Sequence, residues 1–382
     1  MKLDKKADIS YQAGLEFSAD TDKLRQQGLY RKERIISARN SVNIEIDGQP
    51  LINFCSNDYL DLACDPRIST AMNAAAQKFG TGSGASPLVS GKTVLHHELE
   101  ELLAQLTGRD RVLLFSCGYM ANLAVISGLV RSRGDEVFED KLCHASMIDG
   151  AAISPACLKR YQHASPASLK KLLLTSSAKR KLVLTESVFS MDGDIAPITE
   201  IARCCHEQQA CLVVDDAHGF GVIGNKGWGG LDFFDLDQSA VPLLMATFGK
   251  AVGVSGAFIA GPDSLLESLV QGARPYIYST APPIPLVAAI KQSLHIMSEE
   301  PERRLHLDAL IQRFRTGAEH LGIKLLPSET PIQPVVIGDP DETVDVSRRL
   351  EQQGFFVSAI RPPTVPANTS RLRITLSAGH AP

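Results

Sequence analysis

Five short apolar runs punctuate this chain: RVLLF (111–115), KLVLT (181–185), CLVVD (211–215), PLLMA (242–246) and GAFIA (256–260). They are continuous rather than alternating, the pattern of strands covered on both faces. Most are followed by helical or glycine-rich stretches, which predicts an α/β fold with a mostly parallel sheet. DPRISTAMNAAAQKFG reads as a helix with Asp65 as N-cap, Pro66 in the first turn and Gly80 as its stop. TVLHHELEELLAQLTG places Leu95, Leu99, Leu102 and Leu106 on one helical face and ends at Gly108, with HHELE as a solvated face. VNIEIDGQPLINF alternates about Asp47-Gly48, a hairpin signal.

Past YIYSTAPPIP the pattern changes. Two long helical stretches (286–298 and 302–321) lead into IQPVVIG, a helix ending in EQQGFFVSAI, and SRLRITLSA. This reads as a smaller α+β domain with its own sheet. The expected division is an N-terminal arm and hairpin over 1–50, with helix before residue 40, a large domain over 51–284, and a small domain over 285–382.

Composition changes this picture little. With 382 residues, 44% hydrophobic and 21% charged, the chain can bury a large core. A net charge of −4 without a basic run speaks against nucleic acid or an anionic lipid surface as partner. No apolar stretch is long enough to span a bilayer, and MKLDKKADISYQ has no apolar segment behind its charges, so a cytoplasmic location is expected. The eight cysteines include no C-x-x-C pair.

The candidate chemistry lies at the strand ends, where ligands of open α/β sheets gather. Lys250 in MATFGKAVGVSGAFIAG sits between an apolar run and a glycine-rich one. A buried, unpaired ammonium is costly, so this lysine should be exposed, paired or chemically used. Taken alone, it fits a side chain that snorkels to water. KLVLTESVFSMDGD ends in Glu186, Ser190 and Asp192, CLVVDDAHGFGVIG in Asp215, Asp216 and His218, and PLLMATFGK in Thr247 and Lys250. RVLLFSCGYMAN would offer the N–H groups of Gly118 and Tyr119 at a helix start, and DKLCHASMIDG puts His144 at another. An acidic pair such as Asp215-Asp216 could bind a metal, but no second ligand cluster accompanies it, and no metal is expected.

Together these parts are what pyridoxal phosphate (PLP) requires. Lys250 could form the Schiff base with the aldehyde. Asp215 could keep the pyridine nitrogen protonated: at about 4 Å and an effective dielectric near 20 the attraction is about 4 kcal/mol, enough at neutral pH. His144 could cover the ring and His218 bond its phenolic oxygen, while Thr247, Gly118 and Tyr119 could hold the phosphate. A nicotinamide-dependent dehydrogenase is the rival reading, because GTGSGA (80–85) matches G-x-G-x-x-A. That stretch follows a helix instead of a strand, which is the wrong context.

The blocks TESVFSMDGD, VDDAHGFGVIG and TFGKAVGVSGAFIAG resemble those of the α-oxoamine synthases, PLP enzymes of the aspartate aminotransferase fold (PLP fold type I). The likeness runs from INFCSNDYLDL and GTGSGASPLVSG to RPPTVPANTSRLRITLSAGH. It implies decarboxylative joining of an amino acid to an acyl thioester. AIRPPTVP most resembles the members that use L-alanine and a pimeloyl thioester, on CoA or an acyl carrier protein; glycine with acetyl-CoA is the alternative. The resemblance makes Lys250 the Schiff-base lysine, Asp215 the partner of the ring nitrogen and His144 the stacking ring. It makes Ser190, His218 and Thr247 cofactor contacts, puts Gly118 and Tyr119 near the phosphate, and makes Arg31, Asn57, Arg361 and Thr364 substrate contacts. YIYST resembles the segment that reaches a neighbouring subunit's cofactor, which implies a homodimer.

Three departures from the family pattern stand out. Trp228 replaces a usual arginine, with an altered loop near the acyl entrance expected. Asn368 replaces a common glycine, tolerable if its φ is positive. Relatives continue past SAGHAP into a last helix, so part of the small domain's cover is expected to be missing.

Overall fold

The computed structural model describes residues 17–26, 29, 30 and 32–382. Three strands open the chain: β1 (Ile36–Asn40), β2 (Asn43–Ile46) and β3 (Gln49–Asn53), preceded by a helix at Phe17–Gln26. The β2–β3 hairpin turns on Asp47 and Gly48, both with positive φ (54° and 76°), as a two-residue turn matched to strand twist demands. This hairpin is no isolated arm: β3 pairs in parallel with β12 (Phe355–Phe356) from the far end of the sequence.

The central sheet has seven strands: β4 (Arg111–Phe115), β5 (Glu136–Asp140), β6 (Cys157–Tyr161), β7 (Lys181–Glu186), β8 (Cys211–Asp215), β9 (Leu243–Thr247) and β10 (Ala257–Gly261). Their order is β4-β10-β9-β8-β7-β5-β6. Only β10 runs antiparallel to its neighbours; every other pair is parallel. Successive residues feed two separate cores, so Val214, Leu244 and Phe258 pack on one face while Val213, Leu243 and Ile259 pack on the other. That is why these strands read as unbroken apolar runs.

The sequence reading missed β5 and β6. Glu136, Glu139 and Asp140 interrupt β5, and β6 is an edge strand carrying Lys159 and Arg160. Glu139 is fully buried, and neither carboxyl oxygen has a hydrogen-bond partner.

The predicted helix punctuation recurs in the structure: Asp65 caps Pro66–Phe79, and Gly108 ends Val94–Thr107 in a left-handed conformation. The expected leucine stripe of Val94–Thr107 packs on the core, with Leu99 fully buried and Leu95, Leu102 and Leu106 partly buried, and the buried face is wider than that stripe. Leu99 and Leu103 are buried with His96 and Glu100, so HHELE is only partly solvated. His96 tolerates this because its Nε2 bonds the carbonyl of Pro282 (2.8 Å), and Glu100 because it pairs with Lys92 (2.5 Å).

A second, antiparallel sheet has the order β11 (Ile332–Gly338), β14 (Ser370–Thr375), β13 (Ser358–Ile360). Trp228 lies on the loop before Gly230–Phe233 with its side chain buried in the core, its ring 5.7 Å from that of Phe220. Asn368 has φ of 62°, the backbone state in which it can replace glycine. No helix among the described residues is long and apolar enough to cross a membrane.

Candidate functional site

The carboxyl ends of β7, β8 and β9 and the start of helix Gly118–Leu129 converge on one cleft of about 190 Å³. It lies where an open α/β sheet presents its strand ends. Gly118, Tyr119, His144, Asp215, His218, Thr247 and Lys250, seven of the residues picked out from sequence, line it together.

Asp215 ends β8 with its carboxylate held from two sides. Its Oδ2 accepts from Asn122 (2.8 Å) and its Oδ1 from the backbone N–H of Ala217 (2.9 Å). Asp216, the next residue, points to the opposite face because side chains alternate along a strand. There it accepts from the Ser187 hydroxyl and from Gly230 N–H (2.9 Å), and burial raises its pKa to about 8. The adjacent aspartates therefore do not form one acidic pair.

Lys250 follows β9 after a short loop. Its ammonium is paired with no carboxylate among the described residues. Burial lowers its pKa to about 8, against the pull of Asp215 and Glu186. The opening choice between exposed, paired and chemically used thus resolves against the first two.

Glu186 ends β7 directly opposite Asp215 in the strand register. Burial and the neighbouring Asp215 push its pKa well above the usual carboxyl range, and one oxygen accepts from the backbone N–H of His144 (2.6 Å). His144 is the N-cap of helix Ala145–Ile153, its Nδ1 accepting from Ser146 N–H (3.2 Å). Burial lowers its pKa. His218 is buried, which lowers its pKa strongly, and its Nδ1 meets the Tyr59 hydroxyl at 2.7 Å.

Helix Gly118–Leu129 has no side-chain cap at its start, so its first N–H groups are available to an anion. Thr247 Oγ donates to the carbonyl of Gly256 (2.8 Å) and accepts from Gly249 N–H (3.2 Å). The Tyr119 hydroxyl bonds Asp149, which leaves its backbone as the part nearest the helix end. An unpaired lysine amine, a fixed carboxylate, a small floor residue (Ala217) and an uncapped helix start fit the aldehyde, ring nitrogen and phosphate of PLP.

The remaining candidates are more dispersed. Asn57 and Ser190 do not line this cleft but are gathered beside it by Arg373. That guanidinium, 7% exposed on β14, donates to the Ser190 carbonyl (2.7 Å) and to Asn57 Oδ1 (3.3 Å). It meets no carboxylate among the described residues. Arg361 and Thr364 lie on the connection between β13 and β14, with Thr364 N–H bonded to the Arg361 carbonyl (3.1 Å). Arg31 lies outside the described residues.

Sequence reasoning passed over Asn122, Ser146 and Arg373. A lone amide inside the apolar helix GYMANLAVISGL was a usable signal for the first, because a buried polar group needs a partner. Arg373 carried one too, since SRLRIT places two arginines in a strand pattern.

Comparisons with known proteins point the same way. The family described as aminotransferase class I and II matches residues 49–382. An 8-amino-7-oxononanoate synthase of Alkalilimnicola ehrlichii is 51% identical over 94% of this chain and 92% of its own length. That of Hahella chejuensis is 52% identical over 93% and 90%. Among solved structures, a serine palmitoyltransferase from S. paucimobilis with a bound PLP–myriocin aldimine superposes with a TM-score of 0.90. It is 30% identical, over 96% of this chain and 92% of that one. An 8-amino-7-oxononanoate synthase from Francisella tularensis gives 0.75 at 30% identity, over 87% and 93%.

Proposed function

The chain belongs to the aminotransferase class I and II family, and from that membership we propose that its cleft holds PLP and condenses L-alanine with a pimeloyl thioester. The products are 8-amino-7-oxononanoate, carbon dioxide and free thiol, and the acyl group arrives on CoA or an acyl carrier protein. The observation that carries this is Lys250, a half-buried amine in the cleft wall that pairs with no carboxylate among the described residues and whose pKa is lowered to about 8, beside Asp215.

When bound, PLP supplies an electron-withdrawing ring that stabilises negative charge on the substrate carbon. The chain's own residues do the rest. Lys250 would hold the cofactor through its amine and, as a free amine, would take the Cα proton of the amino acid; a lowered pKa keeps part of it neutral at neutral pH. Asp215, fixed by Asn122 and Ala217, keeps the ring nitrogen protonated. His218, its Nδ1 held by the Tyr59 hydroxyl, would have Nε2 left to bond the cofactor's phenolic oxygen. The N–H groups of Gly118 and Tyr119, with Thr247, hold the phosphate. His144 covers the ring. Ser190 completes the cofactor contacts from beside the cleft.

Arg373 and Asn57 receive the carboxylate of the amino acid. A buried guanidinium with only neutral partners lacks a counter-ion, and the substrate provides one. Arg361 and Thr364, with Arg31, are further substrate contacts. Two copies pair so that YIYST of one approaches the cleft of the other. Exposed apolar side chains at Val89 and Tyr278 (79% and 70%) support that contact. Eight unpaired cysteines suit the reducing cytoplasm.

The test is a panel of alanine, glycine and serine against pimeloyl-CoA, acetyl-CoA and palmitoyl-CoA, scored by free thiol and product mass. Alanine with pimeloyl-CoA should give the highest kcat/KM. Preference for glycine with acetyl-CoA would overturn the substrate assignment while leaving the reaction class intact.

A further inference from the structure

Behind His144 and Asp215 runs a chain of short hydrogen bonds. Asn122 spends both amide hydrogens, one on Asp215 Oδ2 (2.8 Å) and one on Ser146 Oγ (2.9 Å). Ser146 Oγ in turn lies 2.8 Å from His144 Nδ1. Asn122 and Ser146 are buried, at 3% and 1% exposure, so water does not compete for these bonds.

The direction of each bond follows from donor counting. His144 Nδ1 already faces a donor, the backbone N–H of Ser146 (3.2 Å). A proton on Nδ1 would confront that N–H. Ser146 Oγ accepts from Asn122, whose amide can only donate there, and so has its own hydrogen to give to Nδ1. Nδ1 is then an acceptor from two groups, and the ring proton sits on Nε2.

We propose that Asn122 and Ser146 are positioning residues that keep His144 an uncharged imidazole with its proton on Nε2, and thereby tie the ring over the cleft to the carboxylate of Asp215. The bonds stand without any cofactor; their consequence rests on the functional reading above. A pyridine ring protonated against Asp215 is positively charged, and an imidazolium covering it would add a second positive charge at contact distance. Locking His144 neutral removes that repulsion and offers an Nε2–H donor to the substrate side.

The charged and titratable groups around the ring do not undo this. Burial lowers the His144 pKa, Asp215 on β8 and Asp149 on its own helix oppose that, and Lys250 adds to it. Glu186 on β7 engages the backbone N–H of His144 and not the ring (2.6 Å). The Tyr119 ring stands edge-on at 6.4 Å.

The experiment is NMR of the full chain carrying 13C,15N-labelled histidine, with His144→Asn to assign the resonance, titrated with PLP bound and after its removal. Wild-type His144 should show neutral imidazole with Nδ1 unprotonated across the neutral range. Ser146→Ala should raise its apparent pKa by about one pH unit, a roughly tenfold change in ionisation. Asn122→Leu should shift it the same way, because the serine hydroxyl is then free to accept from Nδ1–H. An Nδ1–H tautomer or an imidazolium in the wild type at neutral pH overturns the proposal, as do two variants that titrate like the wild type. If the cofactor-free chain behaves as expected but never develops PLP absorbance, the functional reading fails and this one stands.

Discussion

Two neighbouring clusters use the same ingredients, two carboxyl groups and one base, to opposite ends. In the cleft, Lys250 stands near Asp215 and Glu186 without bonding either, and burial lowers its pKa to about 8. At the ends of β5 and β6, His163 is bonded on both nitrogens, to Asp140 (3.0 Å) and Asp194 (2.9 Å). Burial would lower its pKa, but these two bonds outweigh burial and raise it to about 10. The difference is contact. A base in direct hydrogen bonds with two acids is a fixed cation that clamps structure, whereas a base held out of reach of its acids stays reactive.

The clamp has a clear mechanical task. His163 packs edge-on against Phe189 at 4.4 Å, and Asp194 closes the loop from 189 to 194. That loop is where Arg371 meets Asp192 and Arg373 meets the Ser190 carbonyl, so it joins β14 to the cleft. His163, Asp192 and Asp194 also bring ligand atoms within 4.8 Å of one another. Both imidazole nitrogens and Asp192 are already engaged, which favours the clamp over an ion.

The largest expected effect tests the reactive side of this contrast. Lys250→Ala should lower turnover by about 10³-fold or more and abolish the absorbance change on adding alanine. Wild-type turnover in that variant would dissolve the contrast. Next, Asp215→Asn should weaken PLP retention and lower kcat by about 10²- to 10³-fold, read by equilibrium dialysis and steady-state kinetics.

On the clamp side, His163→Leu leaves two carboxyl groups without their cation and should cost about 3 kcal/mol in urea unfolding at pH 7. The sign of its pH dependence follows from a raised pKa. The stabilisation is complete below the ordinary imidazole range and is lost as pH rises through about 10, so wild type should weaken from pH 7 to 10 more steeply than the variant. Equal slopes would show that His163 is not the bonded cation.

The smallest effect sharpens the comparison with another acid, Glu139, whose carboxyl oxygens have no hydrogen-bond partner. Burial pushes the pKa of Glu139 up to about 7, with Arg160 opposing. A raised carboxyl pKa contributes destabilisation that sets in above the ordinary carboxyl range, grows until pH reaches the folded value of about 7 and is constant beyond it. Glu139→Gln should therefore stabilise by about 1–2 kcal/mol at pH 8 and by little at pH 5, measured by denaturant midpoint.

Legibility from sequence followed the kind of interaction involved. Strands β4, β7, β8, β9 and β10 were visible because burial on both faces demands unbroken apolar runs. β5 was hidden because Glu139 and Asp140 are buried acids, a choice that only their surroundings explain. The strand-end residues of the cleft could be picked out because a polar group after an apolar run has few reasons to be there. Ser146 could not, since it is ordinary in its own segment and acquires meaning only from a partner 24 positions away.

By itself, then, the sequence determined the alternation of strands and helices, the hairpin at Asp47-Gly48 and the residues that crowd one edge of the sheet. Periodicity and backbone preference are local, and local rules can be read along a chain. Only the tertiary structure decided that Asp215 and Asp216 part to opposite faces, that Lys250 is left unpaired while His163 is doubly bonded, and that Arg373 draws Asn57 and Ser190 together. Those outcomes depend on distances between segments far apart in sequence, and direct contact with the acids, or its absence, separates a clamp from a reactive amine.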